Sequence, residues 1–201
     1  MAEDLTNQPA TPSVLMQLRE ERQVMREGYR FLDEKRLLLA AETMRRLEQY
    51  EELAARFAAM HREAAEALAS ATAFHGLDGL QVYPAESLDE AEVATRPRNF
   101  LGVTLVDAKL RLHEDGAPQE PALPSEEARV CRERFRALIE AGAELASLHA
   151  NLERLLAEYR RTQRRARALE DVLLPEIDSA LHRVSERLEE LDQEEAIRVR
   201  R

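Results

Sequence analysis

Apolar residues recur at helical spacing over two long stretches of the chain, one towards each end. In the first stretch, positions separated alternately by three and four residues run from Leu15 to Phe74, and most of them are apolar. A second series runs from Leu138 to Leu191. A sustained seven-residue apolar repeat with charged residues between is typical of a coiled coil. Because the two series lie at opposite ends of one chain, they predict a mainly α fold built on a long antiparallel two-helix coiled coil.

The segment between the two helices, residues 76–124, has a different composition and contains five of the eight prolines. Gly76 predicts the end of the first helix, as a left-handed residue after its last turn. The stretch Phe100–Leu112 is rich in β-branched residues, and an Asp-Gly turn signal follows at 115–116. These features predict a β-hairpin or a pair of strands. The acidic run Ser87–Ala94 predicts a short helix.

These signals divide the chain into four predicted segments. They are a frayed N-terminus (1–12), a long first helix (13–75), the middle segment (76–124) and a long second helix (125–201). Ser13 and Ser125 are the expected N-caps of the two helices. The apolar stripe of the second helix changes phase around Pro175, and a proline inside a helix removes a backbone hydrogen bond. We therefore predict a kink near Pro175.

Composition limits the kind of core and the kind of partner. Aromatic residues make up only 4% of the chain and charged residues 34%, which suits a narrow seam between exposed helix faces. The formal net charge of −10 argues against nucleic acid as the main partner, because phosphate binding needs a basic surface. The N-terminus has no secretion signal and no stretch of eighteen apolar residues occurs, so we expect a cytoplasmic protein without membrane insertion.

The sequence contains no recognisable catalytic motif. Neither lysine, Lys35 or Lys109, follows a glycine-rich phosphate loop, and the five histidines lack metal-ligand spacing. The single cysteine, Cys131, is interpreted as a packed helix thiol. We expect no cofactor, no metal and no catalytic residue, and therefore a protein that is not an enzyme by itself.

Arginines occur at two places where they could contact another molecule. The first is a basic cluster in the second helix, composed of Arg160, Arg161, Arg164, Arg165 and Arg167. A solvated helix face is favoured over a nucleic-acid or membrane patch, because no aromatic residue beyond Tyr159 is interleaved with it. The second place is the seam, where Arg22 and Arg36 either extend from the coiled-coil edge or contact a further protein. The sequence leaves both alternatives open.

Two sequence blocks, one on each long helix, share the pattern of a known family. In the second helix, an Arg-Arg pair at 164–165 precedes Ala-Leu-Glu, an aliphatic-Pro pair follows at 174–175, and a Glu-rich stretch ends in a basic tail. In the first helix, Pro12 is followed by spaced leucines, Gly28 and the run Phe31–Arg36. These blocks resemble the D subunit of the V-type and A-type rotary ATPases. The resemblance does not cover the middle segment, and Asp33 stands where the family commonly has Lys.

The resemblance implies that the chain is a central rotor stalk. In the family, the paired termini of the D subunit sit inside a ring of catalytic and non-catalytic nucleotide-binding subunits. The small F subunit binds alongside, and the middle segment faces a membrane-side coupling subunit of the C/d type. The shaft couples ATP synthesis or hydrolysis to proton or sodium translocation, and it is peripheral to the membrane through the complex.

By transfer, the resemblance places the surface that contacts the ring on Leu15–Leu39 paired with Leu181–Val199. The candidate residues are Leu15, Leu18, Met25, Gly28, Lys35, Arg36, Leu181, Val184, Leu188, Leu191 and Ile197. Two other functions stay open from the residues alone. One is a cytoplasmic coiled-coil scaffold without rotary partners, and the other is a nucleic-acid binder that uses the basic cluster.

Overall fold

The computed structural model describes residues 10–81, 91–111 and 124–200. The elements are α1 (Pro12–Gln81), β1 (Glu92–Phe100), β2 (Val103–Arg111), α2 (Glu126–Ala168), a π-helical turn (Leu169–Leu173) and α3 (Leu174–Val199). This order confirms the predicted mainly α fold with a short antiparallel hairpin between two long helical stretches. The chain divides into two compact units, residues 1–40 with 158–201, and residues 41–157. None of the described helices is long and apolar enough to cross a membrane.

Helix α1 begins one residue earlier than predicted. Thr11 Oγ1 accepts a hydrogen bond from the Val14 backbone N–H at 3.3 Å, so Thr11 caps the helix and the prediction of Ser13 is wrong. Pro12 occupies the first helical position. Its missing N–H costs nothing there, because the first N–H groups of a helix have no partner within the helix.

The C-terminal end of α1 and the N-terminal end of α2 lie close to where the sequence predicted them. Gly76 has φ 72° and ψ 166° and interrupts the helical backbone directly after the predicted end, although a further turn continues to Gln81. At the start of α2, the Ser125 hydroxyl accepts a hydrogen bond from the Ala128 N–H at 3.2 Å. The predicted cap at Ser125 is therefore confirmed.

The hairpin exists as predicted, but its turn lies elsewhere in the sequence. Strand β1 pairs with β2 from Glu92 opposite Arg111 to Phe100 opposite Val103. The chain reverses at 101–102, where φ is 50° and 86°, and glycine at 102 tolerates that conformation without strain. The stretch from which the hairpin was predicted, 100–112, contains the turn and β2, while all of β1 except Phe100 precedes it.

The predicted short helix at Ser87–Ala94 is wrong over its last three residues. Residues 92–94 form the start of β1, because residues 109–111 of β2 lie opposite them and pair with them in the sheet. Residues 87–90 lie outside the described part of the chain. The predicted turn at 115–116 also lies outside it.

A buried asparagine fastens the hairpin to α2 in the unit of residues 41–157. Asn151, whose exposed fraction is 0%, accepts a hydrogen bond from the Val106 N–H and donates one to the Val106 carbonyl, both at 2.8 Å. Both backbone groups of Val106 therefore point away from β1. Pro97, which lies opposite Val106, consequently needs no hydrogen bond within the sheet, and its missing N–H is tolerated.

A nearly buried carboxylate also ties the hairpin to α1. Glu42 accepts hydrogen bonds from Arg45 and from Arg46 Nε at 2.8 Å, and Arg98 of β1 approaches it at 3.4 Å. Hydrogen bonds from Arg45 outweigh the effect of burial and lower the pKa of Glu42 to about 2. The charge of Glu42 thus stabilises the buried guanidinium group of Arg46 and the half-exposed one of Arg45. Through Arg98 it also holds β1.

In the same unit, α1 and α2 pack antiparallel along a narrow seam. Phe57 lies so close to Gly142 that a Cβ there would be 3.4 Å from the ring. Further along α1, Glu63 pairs with Arg134 at 2.7 Å. The partner on α2 thus lies earlier in the sequence, which means that α2 runs in the opposite direction to α1. The buried residues of this unit include Arg46, Leu53, Ala64, Ala71, Val103, Leu105, Ala128, Cys131, Leu138, Asn151 and Leu155.

Two predictions about single side chains of this unit have opposite outcomes. Cys131 is a packed thiol, as predicted, and burial raises its pKa. Phe74, predicted as the last seam residue, is 66% exposed. Its neighbour His75 contacts the Ser125 hydroxyl at 2.5 Å, which places Phe74 opposite the start of α2, where the seam ends.

The phase change of the apolar stripe coincides with the π-helical turn. The Leu174 N–H bonds to the carbonyl of Leu169, five residues earlier, and Pro175 follows in the first turn of α3. A proline lacks the N–H of a regular helix, and its ring collides with the carbonyl four residues before it. A widened turn relieves both problems and inserts one residue into the repeat. The predicted kink at Pro175 stays a prediction.

We expect the substitution Asn151→Leu to lower the free energy of unfolding by about 2 kcal/mol, because both backbone groups of Val106 lose their partner. Urea unfolding measures the loss, and amide exchange at Val106 should accelerate. Glu153→Leu, on the exposed face of the same helix, is the control and should change stability little. An unchanged unfolding midpoint for Asn151→Leu would contradict the role of this side chain.

We also expect Glu42→Gln to lower the unfolding free energy at pH 7 by about 2 kcal/mol. The pKa of Glu42 is depressed in the folded state, so its contribution is complete above the ordinary value of 4.5 and is lost as the pH falls towards about 2. The difference between the wild type and the variant should therefore shrink over this range in urea titrations. Glu63→Gln, in an exposed pair, serves as the control. A difference that is constant with pH would refute the assignment.

Candidate functional site

Most of the apolar residues predicted to contact the ring lie in one cluster between α1 and α3. Leu18 packs against Ile177, Ala180 and Val184, and all four are buried. Partly buried side chains surround this group, namely Val14, Leu15, Met25, Leu181 and Leu188. The cluster therefore holds the two helices together and offers little surface to another protein.

The predicted contact residues nearest the C-terminus are exposed instead. Leu191 is 49% exposed and Ile197 is 62% exposed. Every residue from 191 to 200 is exposed. This end of α3, residues 191–200, is called the exposed end below, and its apolar side chains are available to a partner.

Gly28 does not have the structural role expected of a glycine inside a helix. Among the described residues, the nearest atom to a Cβ built at Gly28 is Leu169 Cδ1, at 3.9 Å. That distance is an ordinary van der Waals contact, so no neighbouring backbone requires a glycine here. The packing of this chain therefore does not explain the cost of a glycine inside the helix.

Lys35 is engaged within the chain. Its ammonium lies 2.6 Å from Glu158 Oε1, and the two side chains are only 17% and 20% exposed. The hydrogen bond from Lys35 lowers the pKa of Glu158, and the charges of Arg161 and Arg165 act in the same direction. Lys35 thus links α1 to α2 across the helix pair.

The two arginines at seam positions also form ion pairs within the chain. Arg22 Nε lies 2.5 Å from Asp178 Oδ1 on α3, as a charge contact without the alignment of a hydrogen bond. Arg36 donates to Asp33 on its own helix at 2.5 Å. Both arginine side chains keep about one third of their surface exposed, 35% and 33%. The pairing explains how a charged side chain is tolerated at a seam position, and contact with a further protein stays a prediction.

A stripe of large exposed side chains on α1 was missed by the sequence analysis. It consists of Val24, Phe31 and Leu38, which are 66%, 64% and 53% exposed. Single exposed apolar residues are ordinary, but these three recur on one face of the helix. The three residues are spaced by seven, and each directly precedes a seam position. The sequence could have revealed this exposed stripe if the residue before each seam position had also been checked for a seven-residue apolar repeat.

The basic cluster of α2 lies on open surface. All five of its arginines are exposed. Exposure fits both a solvated helix face and a binding patch, so the interpretation favoured from the sequence stays a prediction.

Comparison with known proteins identifies the family of this chain. The family model for the D subunit of ATP synthase matches residues 14–201. The chain belongs to this ATP synthase family. The match confirms the resemblance found in the two long helices, and it also spans the middle segment, which that resemblance did not cover.

Curated relatives in this family cover nearly the whole chain. It is 31% identical to the V-type ATP synthase D subunit of Anaeromyxobacter dehalogenans, over 93% of this chain and 91% of the relative. It is 26% identical to the A-type ATP synthase D subunit of Methanoregula boonei, over 95% and 93% of the two chains. For the V-type ATP synthase D subunit of Thermotoga neapolitana the identity is 23%, over 93% and 92%.

We expect Gly28→Ala to raise the free energy of unfolding by about 1 kcal/mol, because alanine favours the helix and its methyl group meets no close atom. Gly142→Ala is the matched control, since its Cβ would lie 3.4 Å from the Phe57 ring and the helix gain should be offset. Thermal and urea unfolding of both variants provide the comparison. A destabilised Gly28→Ala protein would show that an unrecognised contact requires the glycine.

Proposed function

We propose that this protein is the central rotor shaft of a V-type or A-type rotary ATPase. In this role it couples ATP synthesis or hydrolysis in a ring of nucleotide-binding subunits to the movement of protons or sodium ions across a membrane. The observation that carries the proposal is membership of the ATP synthase D subunit family over residues 14–201. The antiparallel helix pairing within each compact unit supports it.

The packing of the helices suits the transmission of torque. In the unit that contains both chain ends, the apolar cluster around Leu18 and Ile177 is supplemented by cross-helix pairs, Arg22 with Asp178 and Lys35 with Glu158. Relative sliding or twisting of the two helices would disturb a close-packed seam and separate these charges. The pair should therefore turn as one body.

We assign the contact with the ring to two surfaces, the exposed end and the exposed stripe. Both carry apolar side chains that this chain leaves in water, and burial of such side chains drives most protein association. The buried candidates, such as Leu18 and Val184, act as support for these surfaces. Gly28, Lys35 and Arg36 are proposed to lie along the same contact region.

The remaining partners follow from the family relationship. We propose that the small F subunit binds alongside and that the middle segment, with its hairpin, faces a membrane-side coupling subunit. The chain would then be a non-catalytic, cytoplasmic component that is peripheral to the membrane through the complex.

Reconstitution tests the proposal directly. The full chain should associate with the ring subunits and with a small subunit of the F type, and it should restore ion-coupled ATPase activity to a ring that lacks its shaft. Leu191→Asp combined with Ile197→Asp should leave the fold unchanged and weaken binding to the ring about tenfold or more. Val93→Asp, at another exposed apolar residue, is the control.

Each alternative function has a distinct outcome in the same experiments. A chain that recovers no nucleotide-binding ATPase subunits from its native membrane would be a coiled-coil scaffold. Salt-sensitive binding of DNA or RNA that is lost when Arg160–Arg167 are neutralised would instead support the nucleic-acid hypothesis. Either result would overturn the rotor proposal.

A further inference from the structure

A cleft of about 490 Å³ lies within the unit of residues 41–157, between the hairpin and the helices α1 and α2. Its volume is in the range of small-molecule sites. Basic side chains from three elements line it, namely Arg45, Arg46 and Arg56 of α1, Arg98 of β1 and Lys109 of β2. The rotor function proposed above makes no use of this cleft.

The strand register directs the basic residues of the hairpin towards the helices. Arg98 lies opposite Leu105, which is only 1% exposed and therefore marks the face that packs on the helices. Lys109 is four residues after Leu105 in the same strand, and alternate residues of a strand share a face. Arg98 and Lys109 consequently project from that inner face.

Basic side chains outnumber acids around the cleft by one: five line it, against Glu52, Asp107 and Glu144 of the lining and the adjoining Glu42. Arg45, Arg46 and Arg98 share Glu42 as a common acceptor. Arg46, with its side chain only 4% exposed, has one further acid nearby, Asp107 at 3.6 Å. Each guanidinium carries five N–H donors, and a carboxylate offers about four acceptor sites. Several donors are therefore left for an anion that enters the cleft.

The rest of the lining suits a ligand that has polar and apolar groups in addition to its charged group. Glu52 and Glu144 supply acceptors for hydroxyl or amino groups, while Leu53 and Leu148 supply apolar surface. The lining combines basic side chains, acceptors and apolar surface, and its charges nearly balance, so it matches a compact phosphorylated organic molecule better than an extended polyanion.

We propose that this cleft binds the polyphosphate group of a small molecule, with a nucleotide as the ligand class, through Arg45, Arg46, Arg98 and Lys109. The bound phosphates would bridge the hairpin to α1, because the four residues come from both. Phosphate oxygens accept the paired N–H donors of arginine with good geometry. The proposal does not depend on the rotor function.

Calorimetric titration of the full chain with ADP and, separately, with inorganic pyrophosphate tests the proposal. We expect saturable binding of both, weakened by salt, with ADP tighter because the acids and the apolar wall contact its nucleoside. Arg98→Gln combined with Lys109→Gln, both at exposed positions, should weaken binding at least about tenfold, because each removes a charged hydrogen bond. Arg134→Gln, an exposed arginine outside the cleft, should leave the affinity unchanged.

Hydrogen exchange gives an independent measurement. Amides of β1 and β2 should exchange more slowly with ADP present, and this protection should vanish in the double variant. No saturable binding of either probe, or equal weakening in the double variant and in Arg134→Gln, would overturn the proposal. These outcomes leave the association with ATPase subunits untouched, so failure of one proposal is distinguishable from failure of the other.

Discussion

Burial of a narrow apolar seam between antiparallel helices is the interaction on which each compact unit depends. With 4% aromatic residues, the chain has few large side chains with which to build any other core. In one unit Leu18 and Ile177 form the centre of the seam, and in the other it runs through Leu53 and Leu155. The ion pairs between helices add to this packing, and the hairpin attaches to it.

Buried polar groups give the attachment of the hairpin its specificity. Apolar packing alone distinguishes poorly between registers that differ by two residues, because such a shift keeps the same side chains on the buried face. The paired hydrogen bonds between Asn151 and Val106 are satisfied in one register only, and any other leaves buried polar groups without partners. Glu42 adds a second constraint, because loss of its charge would leave the buried Arg46 with only the more distant Asp107, at 3.6 Å. These contacts position the basic lining of the cleft.

The structure distinguishes apolar residues that are buried between the helices from apolar residues that are exposed to water. A seven-residue repeat in the sequence does not distinguish them, since a buried seam and an exposed stripe can have the same period. Leu18 and Val184 are buried against the partner helix, whereas Phe31 and Ile197 remain in contact with water. Only the second kind can gain free energy by binding another protein.

The sequence was sufficient to predict the two long helices, their antiparallel pairing, the cap at Ser125 and the family. Each of these depends on residues close in the chain or on a repeat that extends over many turns. Four features could be seen only in the folded chain. They are the turn of the hairpin, the hydrogen bonds between Asn151 and Val106, the exposure of Phe74 and the ion pairs of Lys35 and Arg22. Asn151 and Val106 are separated by 45 residues, and no local pattern specifies which strand atoms a helix side chain will reach. Such contacts are set by how the helices and the hairpin pack, and packing depends on the whole chain.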